Sequence, residues 1–231
     1  MMSRPPEAGN DLVVPAADPE LEARATDRLT LFSDAVVAIA ITLLAIDLPV
    51  PRGATVHALA TSGRDNKDYY AAFLISFFSI AASWSSHHDI FRSTRRVNSR
   101  LRRLNMYWLL TIVLTPFATK LLTAPGNQTK NANALEFGFY AFLQVVQSGL
   151  LLAMLRYMTT RDLADGPQPA QVAAAARQSY SLMAGFGVSI PVFFVTGYAW
   201  VLWFAVPAVA GGWLQFRRRR RNSQRPDPEP G

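Results

Sequence analysis

Cysteine is absent from the 231-residue chain, which excludes a disulfide framework and any thiolate nucleophile or thiolate zinc site. Charge is also scarce. Only 17% of residues are Asp, Glu, Lys or Arg, against roughly a quarter in soluble domains. The acidic sign is the rarer one, with 16 Asp and Glu against 23 Lys and Arg and a formal net charge of +7. What charge there is sits in a few short blocks. Half of the chain is hydrophobic, which excludes a disordered tail protein.

The stretches between the charged blocks match a bilayer, whose hydrocarbon core of roughly 30 Å takes about 20 apolar residues as a helix. Six spans are expected, over residues 29–48, 69–91, 104–122, 134–158, 178–196 and 198–216. The first holds only Asp34 and Asp47 as charges and stops at Pro49 and Pro51. Lys120 lies near the end of the third, and the fourth carries Gln144 and Gln147 in its interior. From Ser179 to Phe216 no charge occurs, and Thr196-Gly197-Tyr198 is the expected break between two short spans. The period-two alternation of membrane barrel strands is missing, so backbone satisfaction inside lipid points to an all-α membrane protein.

Aromatic residues mark the span ends. Tyr69, Tyr70, Trp108, Tyr157, Tyr180, Tyr198, Trp200 and Trp213 are expected at headgroup depth, while Trp84 lies deeper. With six spans, 18 of the 23 Lys and Arg fall on the side of both termini. The positive-inside rule then makes both ends cytoplasmic and the protein a multi-pass component of the cell membrane.

Residues 1–23 read as a disordered cytoplasmic extension and not as a signal peptide, since no basic start leads into a short apolar core. Residues 24–216 form the transmembrane domain. The tail, 217–231, opens with Arg217 to Arg221 and turns Pro-rich and acidic. Directly after a span, this arginine run is expected to meet anionic lipid headgroups rather than nucleic acid. Residues 52–68 and 123–133 read as polar connectors. The break at Gly166-Pro167-Gln168-Pro169 precedes an alanine-rich stretch that starts the fifth helix early.

The chemistry concentrates at the cytoplasmic start of the first span, where Arg28, Phe32, Ser33 and Asp34 form an Arg-x-x-x-Phe-Ser-Asp string. A charge at the centre of a span costs about 3 kcal/mol on insertion scales, less near its edge, so Asp34 needs a partner from another helix or water. The second span offers Trp84, His87 and His88, and Trp84 and His88, four apart, share a helix face. Adjacent histidines without a third ligand make a poor metal site, and one of them can join the polar cluster while the other faces headgroups. Ser33 beside Asp34 lacks the base and oxyanion hole of a nucleophile, so an intramembrane hydrolase is disfavoured. Ile39, Leu43 and Ile46 make one apolar stripe that ordinary helix packing also explains.

The string from Arg28 to Asp34, continued by Ala35-Val36-Val37-Ala38-Ile39-Ala40-Ile41-Thr42-Leu43-Leu44, resembles the first-helix signature of the transmembrane protein 175 family. Trp84-x-x-His87-His88 in the second span, Leu104-Asn105 and Pro116-Phe117 in the third extend the resemblance. It implies a potassium channel, with potassium as permeant ion, no cofactor and no enzymatic activity. It further implies a homotetramer whose first helices line a central pore, without a re-entrant carbonyl filter. The constriction then falls at Ile39, followed by Leu43 and Ile46, with Thr42 offering a hydroxyl to the ion or bonding back to the Ala38 carbonyl. Arg28, Phe32, Ser33, Asp34, Trp84, His88 and Asn105 are implied to form the interhelical polar network. An ion-coupled secondary transporter is the alternative. Pro116, Pro191 and Pro207 supply kinks for it, but the two halves of the chain do not match in sequence.

Overall fold

The computed structural model describes residues 19–94, 96–123, 129–161, 163 and 169–210. Its regular elements are helices: α1 (Pro19–Ile46), α2 (Val56–Asp65), α3 (Lys67–Arg92), α4 (Ser99–Leu122), α5 (Lys130–Thr160) and α6 (Pro169–Phe193). A seventh, α7 (Ala199–Ala210), opens with a 3-10 turn over Ala199–Val201. By length and composition, Ala23–Ile46 within α1 and the whole of α5 can cross a bilayer, whereas α7 is apolar but short. Helices α3 and α4 are diluted by serines, threonines, His87 and Asn105 that turn inward and pair with one another.

The expected spans fall on α1 and α3 to α7, with three differences. Residues 52–68 are not a plain connector, because Thr55 caps a helix there: its side-chain oxygen accepts from the Ala58 N–H at 3.2 Å. No residue of this α2 is buried. Helix α1 begins at Pro19, so residues 19–23 of the expected extension are helical, with Glu20 and Arg24 paired one turn apart at 3.4 Å. The last span is described only to Ala210. The expected extension over 1–18 and the end of that span with the tail, 211–231, lie outside the described residues.

Helix α4 packs along α5, and α5 along α6, while α1 lies against α3 and α4. One core forms where α1, α3, α4 and α5 meet, around Val37, Ile80, Trp108, Ile112 and Met154. The other joins α4 and α5 to α6 and α7 through Phe137, Tyr140, Phe186 and Trp203. Trp203 stacks on Phe137 and on Tyr140, each at 5.0 Å between centroids, and its indole N–H donates to Ser189 Oγ at 2.8 Å. Where α6 meets α7 the backbones nearly touch, since a Cβ on Gly185 would lie 2.8 Å from the Leu202 carbonyl oxygen. Between apolar helices in lipid there is no hydrophobic drive, so close packing and interhelical hydrogen bonds have to hold the bundle.

The caps also tie elements together. Asn98 Oδ1 accepts from the Leu101 N–H at 2.9 Å at the start of α4, and its Nδ2 donates to Tyr157 Oη on α5 at 2.8 Å. Tyr70 Oη donates to the Pro49 carbonyl at 2.8 Å, fixing the chain after α1 to the start of α3. Arg156 donates to the Tyr180 hydroxyl between α5 and α6.

Candidate functional site

Helix α1 has two faces of different character. Ser33, Val37, Ala40 and Leu44 recur at helical spacing and are buried against α3 and α4, and Thr26, a further two turns back, is buried as well. On the other face Ile39 is 59% exposed, Leu43 41% and Ile46 76%. Thr42 lies between them on this uncovered face, with Ala35 and Ala38 a turn or two below.

The buried face is fastened by polar side chains from three helices. Ser33 Oγ donates to the Leu29 carbonyl within α1 at 2.8 Å. The same oxygen accepts from Asn105 Nδ2 of α4 at 2.9 Å. Asn105 Oδ1 in turn accepts from His87 Nε2 of α3 at 2.7 Å. The His87 ring lies flat on Trp108, 4.1 Å between centroids and 7° between planes, and stacks on Phe91 at 4.4 Å. Trp108 closes the loop by donating its indole N–H to Ser83 Oγ at 3.1 Å. Ser33, His87, Asn105 and Trp108 are fully buried. Beside this chain, Trp84 Nε1 donates to Asp34 Oδ1 at 2.8 Å, so the one carboxylate of the motif is met by an indole from α3.

Sequence-predicted residues thus separate into three groups. Ser33, Asp34, Trp84 and Asn105 are brought together by hydrogen bonds. His88 stands against the Trp84 ring at 5.6 Å, but the histidine that hydrogen-bonds Asn105 is His87. Arg28 and Phe32 lie on the exposed side of α1, apart from the buried chain. The third group, Ile39, Leu43, Ile46 and Thr42, occupies the uncovered face. Thr42 Oγ1 donates to the Ile39 carbonyl at 2.8 Å rather than to that of Ala38, which spends its proton inside the helix and leaves its lone pairs outward.

Trp108 corrects the expectation of headgroup depth: α4 begins at Ser99, so this ring sits more than two turns in and is buried against His87. Sequence reasoning also missed Ser83, and a second polar layer in which Ser76 Oγ pairs with Thr119 Oγ1 at 2.7 Å and with Tyr140 Oη at 3.1 Å. A readable signal existed in α3, where Ser76, Ile80, Ser83, His87 and Ile90 recur at alternating spacings of four and three. At the other end of α1, Lys120 Nζ and Asp47 Oδ1 form an exposed ion pair at 3.0 Å. Among the described residues no three His, Asp or Glu side chains gather as a metal site would require.

The family model described as "Endosomal/lysosomal potassium channel TMEM175" matches residues 28–116, from the motif arginine to the proline of α4. A potassium channel of Streptomyces collinus is 31% identical over 175 residues, covering 73% of this chain and 82% of that protein. This chain belongs to the TMEM175 family. A potassium channel of Chamaesiphon minutus is 39% identical to it over 99 residues, 42% of this chain and 49% of that one. A crystal structure of a lysosomal potassium-selective channel TMEM175 homolog, also from Chamaesiphon minutus, superposes with a TM-score of 0.67 at 25% identity. The match covers 81% of this chain and 97% of that one. The all-helical architecture of this TMEM175 chain is therefore shared with a solved channel.

Proposed function

We propose that this protein is a passive potassium channel of the cell membrane, a homotetramer in which four α1 helices surround the ion path. Family membership supports the activity, and one structural observation supports the path. The motif side chains Ser33 and Asp34 tie α1 to α3 and α4, while the face with Ile39, Leu43 and Ile46 stays uncovered within the single chain. A helix held so firmly on one side and bare on the other is suited to meet copies of itself. The small Ala35 and Ala38 beside the stripe permit close approach.

In this reading Ile39 forms the narrowest ring, with Leu43 and Ile46 extending a hydrophobic passage. Apolar rings gate by dewetting, and passage then favours the ion that gives up water more easily, which is potassium over sodium. Thr42, with its proton committed to Ile39, presents acceptor lone pairs suited to a cation or its water. The buried chain through Asn105 and His87 sets the rotation of α1 and hence which side chains face the axis. Potassium passes as the permeant species. The Lys and Arg bias supports cytoplasmic termini, and the arginine run 217–221, outside the described residues, has the charge to attract anionic headgroups.

The test is flux from liposomes containing purified protein, with potassium and sodium each driven by its own gradient and no other coupled ion. Faster potassium than sodium release is expected. Release of either ion only when a proton or sodium gradient is imposed would replace the channel with a coupled carrier on the same helices.

A further inference from the structure

The end of α1 away from the motif carries a second carboxylate, placed quite differently from Asp34. Asp34 is met by the Trp84 indole of α3. Asp47 stands just past Ile46, the last residue of α1, and four residues after Leu43, so on the same side of the helix as the free stripe. Its side chain is 50% exposed and meets Lys120 Nζ of α4, itself 67% exposed, at 3.0 Å. The segment that follows is pinned, because Tyr70 Oη of α3 donates to the Pro49 carbonyl at 2.8 Å. Asp47 is thus held where the apolar stripe ends.

A carboxylate is a poor choice for the end of a helix. Unpaired carbonyls give a helix C-terminus partial negative charge, which disfavours an anion there, and an exposed ion pair adds little stability in return. Carbonyl ends and carboxylate together do favour a passing cation, and the lysine beside them opposes it. We propose that Asp47 and Lys120 set the charge balance at the mouth of the ion path, Asp47 drawing cations toward the stripe and Lys120 limiting the draw. This rests on the reading that α1 lines the path. A field at the mouth reads charge and not ion size, so potassium and sodium are drawn alike and the preference between them stays with the stripe.

The test is single-channel conductance of the purified protein in planar bilayers. Lys120→Met leaves one unbalanced negative charge per chain and should raise potassium conductance about threefold in about 0.1 M KCl, the effect of a unit charge about 7 Å from the ion in water. Sodium conductance should rise by the same factor. Asp47→Asn leaves the lysine unbalanced and should lower conductance by a similar factor, and the double variant should return toward the parent. In about 1 M KCl, where the Debye length falls from about 10 Å to about 3 Å, the differences should close. A change in the same direction in both single variants overturns the proposal, because it reports a broken structural contact and not a field. A difference undiminished in about 1 M KCl does the same. Unchanged conductance in both single variants, with current still reduced by thiol modification of Ile46→Cys, overturns the proposal and leaves the α1 path standing. Unchanged conductance with Ile46→Cys also insensitive overturns both.

Discussion

Asn105→Leu is the perturbation that probes the buried chain most sharply. The replacement keeps the number of side-chain heavy atoms but removes both hydrogen bonds that Asn105 makes, one to α1 and one to α3. The two partners do not suffer equally. Ser33 keeps its bond to the Leu29 carbonyl, so its loss is that of one interhelical bond, about 0.6 kcal/mol on the average measured in membrane bundles. His87 is left with nothing: Nδ1 has no partner already, and Nε2 would join it inside a fully buried ring, at about 1–3 kcal/mol. The variant should therefore be destabilised by about 2–4 kcal/mol. Unfolding by SDS titration in mixed micelles, followed by far-ultraviolet circular dichroism, measures it. The decisive arm is His87→Phe in the same background. Phenylalanine preserves the stack on Trp108 and Phe91 and needs no hydrogen bond, so the double variant should recover at least about 1 kcal/mol relative to additivity. Strict additivity, or an Asn105→Leu protein as stable as the parent, would refute the account of α1 anchoring.

Four further outcomes are expected. Trp84→Phe keeps the ring against His88 but removes the donor to Asp34, and should cost about 0.5–1.5 kcal/mol in the same titration because the bond is partly exposed. Lys120→Met breaks only an exposed ion pair, so its effect should stay below about 1 kcal/mol and fall with added salt. Gly185→Ala drives a methyl group into the Leu202 carbonyl and should destabilise the α6–α7 contact by about 1–3 kcal/mol, with increased protease sensitivity around α7. Ile39→Ala should widen the narrowest ring and lower the ratio of potassium to sodium flux in liposomes, while leaving SDS stability near that of the parent because the side chain is largely exposed.

Helices were legible where apolar residues ran on without charge, most clearly in α1 and α5, the two described helices long and apolar enough to cross a bilayer. Helix α2 was not, because Val56–Asp65 is too short and polar for that test, and only the Thr55 cap announces it. The site was legible to the extent that a motif carried it. The pairing of Asp34 with Trp84 followed from a carboxylate in need of a donor and a tryptophan too deep for the headgroups. The choice between His87 and His88 was not open to that reasoning. Helical spacing joined Trp84 to His88, and the rings do meet, but the orientation of α3 against α4 turns the neighbouring His87 inward to Asn105. Trp108 was misplaced for a related reason: nearness to a span boundary in sequence gives depth along the helix only when the helix start is known.

In the proposed channel the uncovered face of α1 lines the ion path, and the absence of cysteine makes a direct measurement possible. Single cysteines are placed at Ile46 on the free face and, as Ala40→Cys, on the buried face, and potassium flux is recorded while a water-soluble methanethiosulfonate is added outside. Modification of Ile46→Cys should reduce potassium flux, with Ala40→Cys unaffected. Flux that persists unchanged through complete labelling of Ile46→Cys would contradict a pore lined by α1.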